Sequence, residues 1–522
     1  MEKLLNLLKR YWPLVLIILI SLFLRLYRIP SHMTFLGDEG RDALVWMRMI
    51  KNGKLTLIGP QTSIGNMYLG PLFYYLMLPF YFVFGTAGPS IGTALFAGGT
   101  TFLLWYIGRR WFSSEVGLLA AMLYAISPVA IVLSRTAWNP NIMPFFALLS
   151  VWGIWQFWEK AKYQWLAFEG VLLSLAVQSH YLGLLLIPLV SVFFLLTLMR
   201  LIKKKDKKLK DFLLNFGLCV LSFALLTILP LVWFDLRHGF INYQSFYKFF
   251  SERQTTVNFK PYKAIPNLWP LWKVLITRLL AAKNELVGLW LSIAIVLGGL
   301  LISIANFKKV QLREILKNKN LKPLPGSVVL ILAWLIIGLL GMGLYKQHIY
   351  DHYFGFLFPS VFLLAAALLV KVWKLEYPGK ILSIVCFSII LFYSLKESPL
   401  KFEPGRQMQK TAEIDKKIIE ESKGESFNLG LIAKQNYDAG YRYFLEKWGH
   451  KAVEINALNP EETITKQLFV VCEDEKCEPV GHPNAEIANF GWSKIEEEWS
   501  FPWGTKLYKL VHYNRSAKTP HS

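Results

Sequence analysis

Over roughly its first 395 residues the chain alternates long apolar runs with short charged connections. Runs near ~20 residues are long enough to cross a bilayer as helices. The pattern predicts about eleven spans, at 12–29, 88–107, 115–133, 142–158, 165–179, 181–199, 212–231, 285–306, 326–344, 354–371 and 380–395. An N-terminus on the inside then puts the basic connections, among them RLIKKKDKKLK (200–210) and KVWKLEYPGK (371–380), in the cytoplasm, where positive charge gathers. One further apolar stretch, MYLGPLFYYLMLPFYFVFG (67–85), is interrupted by Pro71, Pro79 and Gly85. Counting it as a span would move the later basic clusters outside. Residues 38–85 are therefore expected to form interfacial or re-entrant helices.

Beyond residue 396 the apolar runs give way to a globular pattern. Segments 427–433, 467–473 and 505–513 read as strands, and 437–449 as a helix between them. The expected fold class is mainly α: a polytopic transmembrane helical bundle (1–395) followed by a small C-terminal α/β domain (396–522) on the exoplasmic side.

Composition narrows the class. With 54% hydrophobic and 15% aromatic residues and a mean hydropathy of +0.37, the chain is too apolar for a soluble domain. The net charge of +22 suggests nucleic acid. The basic residues sit between spans, however, so topology and anionic lipid account for them and no nucleic-acid partner is expected. The first apolar run is too long for a signal peptide and lacks a small-residue cleavage site, so it reads as the first span. Cys219 and Cys386 fall in spans. Cys472 and Cys477 bracket CEDEKC, where a disulfide, free thiols or a poor two-ligand metal site are all open.

With this topology the exoplasmic connections are FLGDEGRDAL (35–44), SRTAWNPN (134–141), QSHYLG (178–183), WFDLRHGF (233–240) and YKQHIYDHYF (345–354). The unusual ionisable residues near span ends thus share one face, with none expected in mid-span. Segment 240–284 is a long aromatic and basic connection, either a lid or a surface loop with interfacial aromatics.

The first of these loops is the most densely charged. Asp38 and Glu39 are adjacent and cannot share one face of a helix, whereas Asp38 and Arg41 can. An ionised Asp near Arg and a phosphate suits proton abstraction from a hydroxyl, and Arg suits bidentate phosphate binding. A capping cluster at a helix start is the alternative.

An N-terminal span followed by Asp-Glu-x-Arg, then GPLFYYLMLPFYFVFG, GRRWFSSEVGLLAAMLYAISP and SRTAWNPN, resembles the C-type (GT-C) glycosyltransferase superfamily. The resemblance covers about 10–370. It is nearest the branch of protein O-mannosyltransferases and the aminoarabinose transferases of lipid A. It implies a plasma-membrane enzyme that moves a sugar, with inversion, from a polyprenyl-phosphate carrier to an exoplasmic hydroxyl on a protein, lipid or glycan. By motif, Asp38 would be the general base, Glu39 would position the loop or acceptor, and Arg41 would bind the donor phosphate. Arg135, His180, Arg237, His238, Lys346, His348, His352 and Tyr353 are donor-site candidates by location only.

Two departures stand out. Leu69-Gly70-Pro71-Leu72 stands where relatives often have Lys-Pro-Pro-Leu, and Asn139-Pro140 where many have an acidic residue before Pro. The second loss weakens any divalent-cation site, so no cofactor is expected. Asn139-Pro140 also suits a simple span start, His180-Tyr181 an interfacial pair, and Asp351-His352 a solvated loop. A transporter or lipid flippase, and a membrane-anchored binding module, are the competing functional classes.

Overall fold

A computed structural model of the chain describes residues 2–62, 67–252, 256–316 and 325–513. It divides into two compact units, Met1–Ile29 with Thr56–Glu403, and Pro30–Leu55 with Pro404–Ser522. A cut at 395 puts Pro30–Leu55 with the membrane helices; in the structure these residues pack with the C-terminal domain instead.

The first unit is helical and apolar. Among the described residues six of its helices are long and apolar enough to cross a membrane, or seven if Pro261–Leu280 and Glu285–Leu301, bent by 111°, are one span. The protein is a multi-pass membrane protein. The sequence reading of about eleven is larger because several of its segments form shorter or broken helices. Segment 115–133 breaks at Ser127–Pro128, between helices Ser114–Ile126 and Pro128–Leu133. Met143–Trp158 and Gln164–Ser179 have 16 residues each, about 24 Å at ~1.5 Å per residue.

Residues 67–85 do not form a separate span. Helix Leu72–Phe84 has 13 residues, about 20 Å, against a hydrocarbon core of ~30 Å. At Gly85, in the left-handed region with φ of 63°, the chain turns into helix Gly88–Trp111. Met77 and Phe80 of the first helix then lie against Gly92 of the second. Segment 240–284 is also largely helical, with Ile241–Ser251 and Leu268–Leu280. Asn267 Nδ2 donates to the Gly343 carbonyl at 2.8 Å.

Two ionisable residues correct the expectation that charge avoids the helix interiors. Arg25 is fully buried and donates to the carbonyls of Tyr124 (3.1 Å) and Ala125 (3.0 Å). These belong to the last turn of Ser114–Ile126, whose carbonyls have no partner within the helix, and a cation there also suits the helix dipole. Glu169 is fully buried as well and accepts from the Ser150 hydroxyl. Both are held by hydrogen bonds, as buried polar groups are.

The second unit contains helix Gly37–Asn52, helices Gln407–Ser422 and Ala439–Lys447, and a four-stranded sheet. Its strands are β1 (Asn428–Ile432), β2 (Gln467–Cys472), β3 (Ser493–Ser500) and β4 (Lys506–His512), in the order β1-β2-β4-β3. β1 and β2 are parallel and fully buried, with Asn428 opposite Leu468; the other pairs are antiparallel. β1, β2 and β4 match the predicted strands. β3 was not predicted because SKIEEEWS is charged and partly exposed, which suits an edge strand. Cys472 and Cys477 form a disulfide.

Helix Gly37–Asn52 crosses Ala439–Lys447 at glycine. A Cβ on Gly40 would meet the Gly440 backbone nitrogen at 2.3 Å. Phe35 packs edge-on to Tyr443 beside this crossing, with ring centroids 5.8 Å apart. Gly40→Ala should therefore destabilise this unit by about 1–3 kcal/mol through overpacking. Thermal unfolding of the full chain checks this, with Gly405→Ala, where a Cβ meets nothing within 4 Å, as the unchanged control.

Candidate active site

The charged loop becomes the start of helix Gly37–Asn52. Glu39 caps it: its carboxylate accepts the Thr34 hydroxyl and the Leu36 amide (3.0 Å), reaching back to the N-cap as in a capping box. Glu39 is buried, and burial pushes its pKa up to about 7 against the opposing hydrogen bond from Thr34. The capping alternative thus describes Glu39, but not Asp38.

Asp38 is partly exposed. Its Oδ1 accepts from Arg41 Nη1 at 2.9 Å and from Tyr437 Oη at 2.5 Å. The structure brings Asp38 and Arg41 onto one face, as their spacing predicts. Arg41 also pairs with Asp42, whose side chain is fully buried, at 2.9 Å. One guanidinium thus serves two carboxylates. A chain phosphate would compete with both, so the structure presents Arg41 first as the group that orders Asp38. Burial chiefly, with Arg41 opposing and Asp38 reinforcing, holds the Tyr437 phenol above its usual pKa. It stays protonated and can donate.

A second group of candidates meets in the first unit. His180 lies 4.7 Å from Tyr353 and 5.9 Å from His352, measured between ring centroids. His352 lies 4.2 Å from Trp138 and stacks on Tyr350 at 5.7 Å. Asn139 Nδ2 donates to the Ser179 carbonyl at 2.5 Å, tying the 134–141 loop to the 178–183 loop. The His180 Nδ1 accepts the Leu182 amide at 3.2 Å. That contact leaves the ring proton on Nε2, so a neutral His180 offers one donor.

The remaining candidates lie elsewhere or are already engaged. Arg135 is buried and donates to the carbonyls of Leu24 (3.3 Å) and Tyr27 (2.5 Å), capping the end of helix Glu2–Leu26. His238 stacks on Phe234 at 4.0 Å and bonds its carbonyl at 2.8 Å, outside the His180–His352 cluster. Arg237 lies over Trp233, and the Lys346 amide donates to the Thr256 carbonyl. His348 touches the cluster's edge at Tyr350, 4.5 Å away. Asp351 does not orient His352 and is not a solvated loop residue; it pairs with Arg278 and Lys283, both at 3.3 Å. Sequence reasoning missed Trp138, Tyr350 and Tyr437. The first two flank singled-out residues; nothing local marks Tyr437.

These features can be set beside known proteins. Residues 69–232 match the model for the dolichyl-phosphate-mannose-protein mannosyltransferase family. The whole chain superposes on ArnT from Cupriavidus metallidurans bound to undecaprenyl phosphate with a TM-score of 0.57 at 12% identity, covering 97% of this chain and 99% of that one. The chain has the GT-C fold. The apo state of the same ArnT gives a TM-score of 0.54, also at 12% identity, covering 95% of this chain and 96% of that one. Two Bacillus subtilis (strain 168) proteins named as candidate mannosyltransferases also match this chain. YycA is 27% identical over 166 residues, 31% of this chain and 23% of its own length. YkcB is 24% identical over 159 residues, 30% of this chain and 22% of its own length. The chain therefore spans less than a quarter of either relative.

The raised pKa of Glu39 has a sign. The folded state holds this proton more tightly than an unfolded chain with a value near 4.5. Stability should therefore fall as pH rises from about 4.5 through about 7, by on the order of 3 kcal/mol at most. Thermal midpoints measured across this range should show a shallower pH dependence for Glu39→Gln than for the wild type.

Proposed function

We propose that the protein is a membrane glycosyltransferase that moves a sugar from a polyprenyl-phosphate carrier to a hydroxyl acceptor on the exoplasmic face of the plasma membrane. The observation that carries this reading is an accessible carboxylate, Asp38, fixed at a helix start by Arg41 in a chain of GT-C fold. That neighbouring folds are seen with undecaprenyl phosphate supports the carrier class, and the family matched over 69–232 supports a mannosyl-type donor. The Cys472–Cys477 disulfide supports an oxidising, exoplasmic setting for the C-terminal domain.

The chemistry follows from the groups present. An acceptor hydroxyl gives its proton to Asp38 while its oxygen attacks the anomeric carbon, and the bond from that carbon to the carrier phosphate breaks. A single displacement inverts the anomeric centre and leaves the negative charge on the carrier phosphate. Neutral hydrogen-bond donors around the carrier phosphate suit that developing charge. Glu39, spent on the helix cap, acts by holding Asp38 in place.

No divalent cation is needed in this reading. Arg41 already neutralises part of the carboxylate charge.

The test is transfer from a panel of labelled polyprenyl-phosphate sugars to membrane acceptors. Wild type should use at least one donor. Asp38→Asn should lose about 10²–10⁴-fold in rate, the usual span for a general base, without losing its fold. Normal transfer by Asp38→Asn would remove Asp38 from the mechanism. Excess EDTA should leave the wild-type rate unchanged; a loss restored by Mg²⁺ or Mn²⁺ would show that a metal takes part.

A further inference from the structure

The two oxygens of Asp38 are not equivalent. Arg41 Nη1 and Tyr437 Oη both bond Oδ1, and Oδ2 has no hydrogen-bond partner among the described residues. Tyr437 comes from the C-terminal domain, 399 residues along the chain. Its ring lies directly on the helix start, where a Cβ on Gly37 would meet Tyr437 Cδ1 at 2.4 Å.

Tyr437 is itself anchored. Asn436 Oδ1 accepts both the Tyr437 amide (2.9 Å) and the Gly37 amide (2.8 Å), so one side chain sets the position of both partners. Asn436 Nδ2 donates to Glu473 Oε1 at 2.9 Å, and the Tyr441 hydroxyl donates to the same oxygen at 2.7 Å. Glu473 directly follows Cys472, inside the turn that the Cys472–Cys477 disulfide closes, and its amide donates to the Ile432 carbonyl at 3.0 Å. An unbroken set of contacts thus runs from the disulfide turn to the carboxylate.

We infer that Tyr437 is a positioning residue for the transfer reaction: with Arg41 it fixes Asp38 through Oδ1, so that Oδ2 is the oxygen that takes the acceptor's proton. Asn436 and Glu473 keep Tyr437 in register. The C-terminal domain is then part of the catalytic apparatus through Asp38. This rests on the glycosyltransferase reading above.

Removing the phenol hydroxyl takes a donor from the ionised carboxylate and so favours its protonated form. The charged and titratable groups beside Asp38 are Arg41, Asp42 and Glu39 on its own helix and Tyr437 from the other. Tyr437→Phe leaves those charges and the ring on Gly37 unchanged.

The experiment compares wild type, Asp38→Asn, Tyr437→Phe and Asn436→Ala, using the donor that wild type accepts from a panel of polyprenyl-phosphate mannose, glucose and arabinose. Tyr437→Phe should lower kcat tenfold or more with little change in donor KM. Its acid limb should move to higher pH, and its thermal midpoint should match wild type. Asn436→Ala should lower kcat in the same way. Tyr437→Phe with wild-type kcat and pH profile, beside an inactive Asp38→Asn, overturns the inference and leaves the transfer reading standing. A kcat loss matched by a fall in the thermal midpoint, with the pH profile unmoved, also overturns it, because it marks a merely structural role. A wild type inert toward every donor overturns the glycosyltransferase reading and this inference together.

Discussion

The charged helix start depends on how closely two backbones can approach. Helix Gly37–Asn52 meets Ala439–Lys447 at Gly40 and Gly440, with no side chain between them. At that separation Tyr437 lies on Gly37 and its hydroxyl reaches Asp38. A carboxylate that is to stay ionised cannot be held by burial, since burial would neutralise it. It is held instead by hydrogen bonds from groups that are themselves tightly packed. The Arg48–Glu446 pair, with contacts of 2.9 and 2.6 Å, ties the same two helices about two turns further on.

The adjacent acids illustrate how environment divides labour. Asp38 faces outward toward Arg41 and Tyr437, while Glu39 turns inward to the amide of Leu36 and the hydroxyl of Thr34. Residues one apart on a helix point about 100° apart, so one carboxylate can be structural while its neighbour remains available. A similar economy appears in the membrane unit, where Arg25 and Arg135 spend their guanidinium groups on carbonyls at helix ends. An arginine near a proposed donor site is not for that reason a phosphate ligand.

Much of this was legible in the sequence, and what was not has physical causes. Hydrophobic periodicity identified the membrane helices, the change of pattern near 396, three of four strands and the shared face of Asp38 and Arg41, because all of these are local. Apolar runs outnumber the long apolar helices where apolarity continues across a break such as Ser127–Pro128. The grouping of His180, His352 and Tyr353 was reached only as a list of loop residues, and the same list included His238, which packs elsewhere. The assignment of Pro30–Leu55 to the C-terminal domain, and with it Tyr437, left no local trace. Its only trace is pairs of glycines and polar groups hundreds of residues apart.

That separation has a bearing on biosynthesis. Asp38 leaves the ribosome some 400 residues before Tyr437, Asn436 and Glu473. At ~5–20 residues per second, synthesis takes about 20–80 s to supply them. During that interval the helix start has its cap and its own arginine but no anchor from the C-terminal domain. The carboxylate is therefore brought into register only after the intervening membrane helices have been made.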